Sequence, residues 1–107
     1  MSVFMTETYV VKRDKQQEFD ALLGEFLTFK AEHPALFEHV RSWTLRRQEI
    51  GTPAGLYAET WEYEDLAAMD EAEGRIFGDA GMRAIQNAFH ELLVPATFAS
   101  SVWTAVA

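Results

Sequence analysis

The chain contains no cysteine. That removes disulfide frameworks, thiolate zinc sites, iron–sulfur clusters and cysteine nucleophiles together. Positive charge is also scarce, with nine Lys and Arg against 17 Asp and Glu, for a formal net charge of −8. The nearest approach to a basic patch is Arg41, Arg46 and Arg47, too small a cluster for nucleic acid as a partner. No apolar run reaches the ~18 residues of a membrane span, and no secretory signal opens the chain, so no membrane partner and a cytoplasmic location are expected. The three histidines, His33, His39 and His90, are scattered and no pair has the i, i+4 helical spacing, so neither a metal nor a cofactor is expected.

Apolar and aromatic side chains, by contrast, are plentiful. They make up 49% and 13% of the 107 residues, with eight Phe and three Trp, far too rich for a disordered chain. The length fits one domain spanning 1–107, and no linker, repeat or low-complexity segment divides it. A chain this short leaves much surface exposed, so burying a face against a partner would help it.

Period-two patterning dominates Leu56–Tyr63, where Tyr57, Glu59, Trp61 and Tyr63 share one face. This reads as a strand with a buried aromatic side, and the acidic, alanine-rich run from Glu64 starts a helix directly behind it. Residues 3–12 form another strand, with Val3, Met5, Glu7, Tyr9 and Val11 on one face and Phe4, Thr6, Thr8 and Val10 on the other. Asp14 and Gln17 have the spacing of a capping box, opening a helix whose stripe is Phe19, Leu22, Leu23, Phe26, Leu27 and Phe29. It should stop near His33, ahead of Pro34. Gly24, mid-helix, suggests close packing on a sheet.

Residues 39–50 alternate again, with Arg41, Trp43, Leu45 and Arg47 on one face, and the turn at 51–55 joins them to 56–63 in a hairpin with a loop of about five residues. Gly74, Gly78 and Gly81 predict a break around 74–80 in the second helical region, which resumes with Met82, Ile85, Phe89, Leu92 and Leu93 on one face. Residues 97–106 close the chain as a fourth strand. The order is β-α-β-β-α-β, an α+β ferredoxin-like arrangement with one four-stranded antiparallel sheet and both helices on one face. The strands carry Trp, Tyr, Phe or Val on both faces, and an uncovered apolar sheet face marks an interface, so a homodimer is expected, with Trp43 and Trp103 among its exposed residues.

This order, the strand end Glu59-Thr-Trp61-Glu62 and the following Asp65-Leu-Ala-Ala-Met69 resemble the dimeric α/β-barrel superfamily, in its antibiotic-biosynthesis-monooxygenase-like branch. The resemblance implies a dimeric barrel with an apolar cavity between sheet and helices. Haem-degrading members use an Asn on the first strand, with a Trp and a His in the second helical region. Here Glu7 and Thr8 stand at the comparable first-strand positions and residues 66–81 hold neither Trp nor His, so haem degradation is not implied.

Two roles fit Glu59: a proton-transfer group buried beside aromatic rings, or a carboxylate paired across strands with Arg41 or Arg47, the favoured reading. His90, beside the last helical stripe, is either a general base facing a pocket or a partly exposed helix residue. Trp43, Tyr57, Trp61 and Phe89 are the expected ligand-binding residues. Binding of a small apolar or aromatic metabolite, with oxidation or isomerisation by a cofactor-free route, is the functional expectation; the alternative is a non-catalytic dimeric module that binds a ligand or a protein.

Overall fold

Alternation along the strands decides which side of the sheet is covered. The computed structural model describes residues 1–107 as β1 (Val3–Val10), α1 (Gln16–Glu32), β2 (Ser42–Arg47), β3 (Leu56–Tyr63), α2 (Leu66–Gly78), α3 (Ala80–Glu91) and β4 (Ala99–Thr104). The four strands form one antiparallel sheet in the order β2-β3-β1-β4. Val3, Met5 and Tyr9 of β1 and Tyr57, Trp61 and Tyr63 of β3 are buried on one face, packed against Phe19 and Phe26 of α1, Ala72 and Ile76 of α2 and Met82 of α3. All the helices therefore lie on that face. The architecture is the α+β ferredoxin-like fold, with the second helical region divided in two.

The division is sharper than the glycines suggest. α2 runs through Gly74 to Gly78, and only Asp79 interrupts the helix, with an extended backbone at φ −77°, ψ 133°. Its carboxylate accepts from the Met82 amide at 3.0 Å, so the interruption is also the N-cap of α3. Asp65 does the same for α2, accepting from the Ala68 amide at 2.8 Å.

Several local expectations are corrected. No capping box forms at Asp14: residues Arg13–Lys15 make a turn of 3₁₀ helix, and α1 begins after Lys15 without a side-chain cap. A Cβ at Gly24 would meet nothing within 4 Å, so close packing does not explain that glycine. The second strand is shorter than 39–50, because the chain turns after α1 (Leu36 amide to His33 carbonyl, Val40 amide to Phe37 carbonyl) around the buried Phe37 ring. The fourth strand covers 99–104 rather than 97–106. The hairpin loop runs from 48 to 55, and Ser42 pairs with Glu62. That register sets Leu45, not Arg47, opposite Glu59.

The opposite sheet face carries Phe4, Thr6 and Thr8 of β1 with Trp103, Ser101 and Ala99 of β4 as their cross-strand partners. No element of the chain covers it, and Trp103 is 61% exposed.

Candidate functional site

The helix-covered face holds two separate apolar clusters. One gathers Val3, Met5, Trp61 and Tyr63 with Phe26, Phe37 and Ile76; the other gathers Tyr9, Val11 and Tyr57 with Phe19 and Leu93. Between them runs one cross-strand row, Leu45–Glu59–Glu7–Ser100. Two acidic side chains thus stand directly opposite each other on the face the helices cover, where like charges destabilise a strand pair. The core parts at this row, and a pocket occupies the gap.

The sheet side of the pocket is made by Glu7, Tyr9, Trp43, Leu45, Glu59 and Trp61. α1 contributes Phe19, Leu22, Leu23 and Phe26, while Phe77, Met82, Ile85, Gln86 and Phe89 close it from α2 and α3. Its interior has about 50 Å³ open to a water-sized body, and the empty space reaches about 520 Å³ only with its mouth to solvent included. Twelve of the 15 lining side chains are hydrophobic, and the polar remainder is Glu7, Glu59 and Gln86. A mostly apolar cavity with few convergent polar groups is the usual form of a small-molecule site.

The two carboxylates live in different surroundings. Glu59 accepts three hydrogen bonds: from the Trp61 indole at 2.7 Å, from the Tyr9 hydroxyl at 3.0 Å and from the Trp43 indole at 3.2 Å. Glu7 has none of these donors. Burial pushes its carboxyl up from 4.5 to about 7, and the charges of Glu59 and then Glu73 add to the rise. The Trp61 indole acts weakly in the opposite sense, its single hydrogen being committed to Glu59. Tyr9 is held protonated far above its ordinary range, first by burial and then by the Glu59 charge and bond. A buried carboxyl group raised to about 7 inside a cleft is the kind of perturbed group that marks an acid–base site.

The arginine pairing expected for Glu59 is overturned. The eight-residue loop shifts the register by two from what a five-residue loop would give, and Arg47 turns to Glu49 at 3.1 Å instead. Arg41 donates to the Ser2 hydroxyl. His90 is exposed on α3, with its Nε2 3.0 Å from the Gln86 amide nitrogen, and does not line the pocket. Tyr57 does not line it either: its ring is buried between Tyr9 and Phe19, and its hydroxyl donates to Gln16 at 3.1 Å. Trp43, Trp61 and Phe89 do line it. Trp43 therefore stands on the helix-covered face, not on the open one, because Trp61 is its cross-strand partner. Glu7 was missed as a site residue. Its signal is a lone acid in the middle of the apolar row Val3, Met5, Tyr9, Val11.

No protein-family model and no curated protein matches the chain. Solved structures do match it over nearly their whole length. A NIPSNAP-family protein from Agrobacterium tumefaciens superimposes with a TM-score of 0.75 at 18% identity, covering 98% of this chain and 86% of its own. A proposed antibiotic biosynthesis monooxygenase from Caulobacter crescentus gives 0.72 at 20% identity, covering 99% and 91%. SnoaB, a cofactor-independent oxygenase from Streptomyces nogalater solved as a point mutant, gives 0.68 at 19% identity, covering 99% and 94%. The chain shares its fold with these proteins. At such identities the likeness reaches the architecture and not the reaction. No helix of the chain is long and apolar enough to cross a membrane.

Proposed function

We propose that the pocket binds a small aromatic metabolite and that Glu7 removes a proton from it, the step that opens a cofactor-free oxidation by dioxygen or an isomerisation. One observation carries this reading: a carboxyl group raised to about 7 lines an aromatic pocket beside a second carboxylate that accepts three hydrogen bonds. A base is most effective when its pKa lies near the working pH, and Glu7 meets that condition at neutrality. A cofactor-independent oxygenase is built on the same fold, so this architecture can house such chemistry. The bond broken is a substrate C–H or O–H; the proton goes to Glu7, and the electron pair stays on the substrate.

The protein acts as a homodimer in this reading, with the open sheet faces turned toward each other. The 61% exposure of Trp103 on a face that no helix covers supports it.

Hydrogen–deuterium exchange tests the proton transfer. Small aryl ketones and quinols that bind the protein are incubated with it in D₂O and followed by NMR. The proposal predicts protein-catalysed C–H exchange that rises through pH 7 and disappears in Glu7→Gln while binding persists. Binding without exchange for every compound would leave a non-catalytic binding module instead.

A further inference from the structure

The charge of the pocket is one-sided. Two carboxylates face the cavity from adjacent strands, and no Lys, Arg or His is among the lining residues. Glu73 on α2 acts on Glu7 with a third negative charge. α1 and α3 bring only apolar side chains and the neutral Gln86 to the cavity. Around the carboxylates stand the rings of Trp43, Trp61, Tyr9 and Phe89, with Trp43 and Trp61 meeting edge to face at 6.4 Å.

An uncompensated charge pair inside a protein is costly, and the cost is relieved by an opposite charge. Aromatic faces attract cations, most strongly when the cation is desolvated. We propose that the ligand of this pocket is an organic cation, an aromatic or apolar body bearing a protonated amine, with the ammonium held between Glu7 and Glu59 against the indole rings. This rests on the reading of the pocket as a ligand site and names its substrate class.

The charge balance of proton removal points the same way. A neutral substrate losing a proton would leave an anion in a lining that has acidic side chains and no cation to offset it. A substrate that carries an ammonium loses the proton to Glu7 and keeps no net negative charge. Binding should also compete with the proton on Glu7, since ammonium and proton neutralise the same carboxylate. The groups acting on Glu7 are Glu59, Glu73 and the Trp61 indole, and none of them supplies a positive charge.

The experiment is calorimetry of the intact protein with three probes of one shape: 2-phenylethylammonium, 2-phenylethanol and phenylacetate. At pH 7.5 the ammonium should bind at least about tenfold more tightly than the alcohol, a conservative figure for one charge-assisted contact plus a cation–π contact. Phenylacetate should bind most weakly. Lowering the pH to 5.5 or introducing Glu7→Gln should shrink the advantage of the ammonium. At pH 7 its binding should also release protons, read as a dependence of the heat on the buffer's ionisation enthalpy. Equal or tighter binding of the alcohol or of phenylacetate would overturn the cation and leave the pocket reading standing. No binding of any of the three at millimolar concentration would overturn both.

Discussion

Replacing Glu7 by Gln should make the protein more stable above neutrality and leave it unchanged in acid. Glu7 titrates near 7 in the folded chain against 4.5 for the free group, because burial and the facing Glu59 disfavour its charge. Ionising it in the fold therefore costs on the order of 3 kcal/mol more than ionising it in the unfolded chain. The sign follows from proton counts. Below pH 4.5 the group is protonated in both states and nothing is lost. Between 4.5 and 7 the folded protein holds a proton that the unfolded chain has released, so stability falls as the pH rises. Above 7 both states are ionised and the full cost remains.

Gln keeps the shape without the charge, so at pH 8 Glu7→Gln should gain about 2–3 kcal/mol, a little less than the full figure because the site opens to solvent. In a domain of this size that is a rise in Tm on the order of 10 °C. Urea titrations of both proteins from pH 4.5 to 8.5, at one fixed protein concentration, would measure it. A variant no more stable than the parent at pH 8, or equally favoured at pH 4.5, would refute the reasoning. The same substitution should abolish proton exchange, so stability and function move in opposite directions at one residue.

Other perturbations have definite signs. Tyr9→Phe removes one of the three donors to Glu59 and should cost about 1–2 kcal/mol in urea unfolding. Gly24→Ala should stabilise α1 by about 0.5–1 kcal/mol, since the added Cβ meets nothing within 4 Å, whereas at Gly81 it would stand 2.8 Å from the Phe29 ring and Gly81→Ala should destabilise. Trp103→Asp should leave the helix-side core intact and convert a dimer of twice 12.2 kDa to a monomer in sedimentation equilibrium. A parent protein that is already a 12.2 kDa species would remove the dimer.

The order of elements could be read from the chain because Leu56–Tyr63 alternates, the other strands are rich in β-prone residues, and the stripes in Phe19–Phe29 and Met82–Leu93 have helical spacing. The site was legible only in outline. Trp43, Trp61 and Phe89 reach the pocket as their faces suggested. Tyr57 shares the face of Trp61, but it sits four pairs along the strand, in the second apolar cluster. The partner of Glu59 depended on hairpin register, and alternation leaves register undetermined by steps of two. The loop proved longer than the turn-forming residues 51–55, which moved Arg47 away from Glu59 and set Trp43 opposite Trp61, within reach of Glu59. The Trp61 indole and the Tyr9 hydroxyl reach it from its own strand and from β1. Glu7 was visible as an acid in an apolar row. Its significance came from β1 lying between β3 and β4, which sets it opposite Glu59.

The central claim is that Glu7 is a proton acceptor poised near neutrality. Carbon-13 NMR of the side-chain carboxyl groups, followed from pH 3 to 9, measures that directly. The account predicts one Glu carboxyl with a midpoint near 7, whose signal is lost in Glu7→Gln. A Glu7 midpoint at the ordinary 4.5 would contradict it.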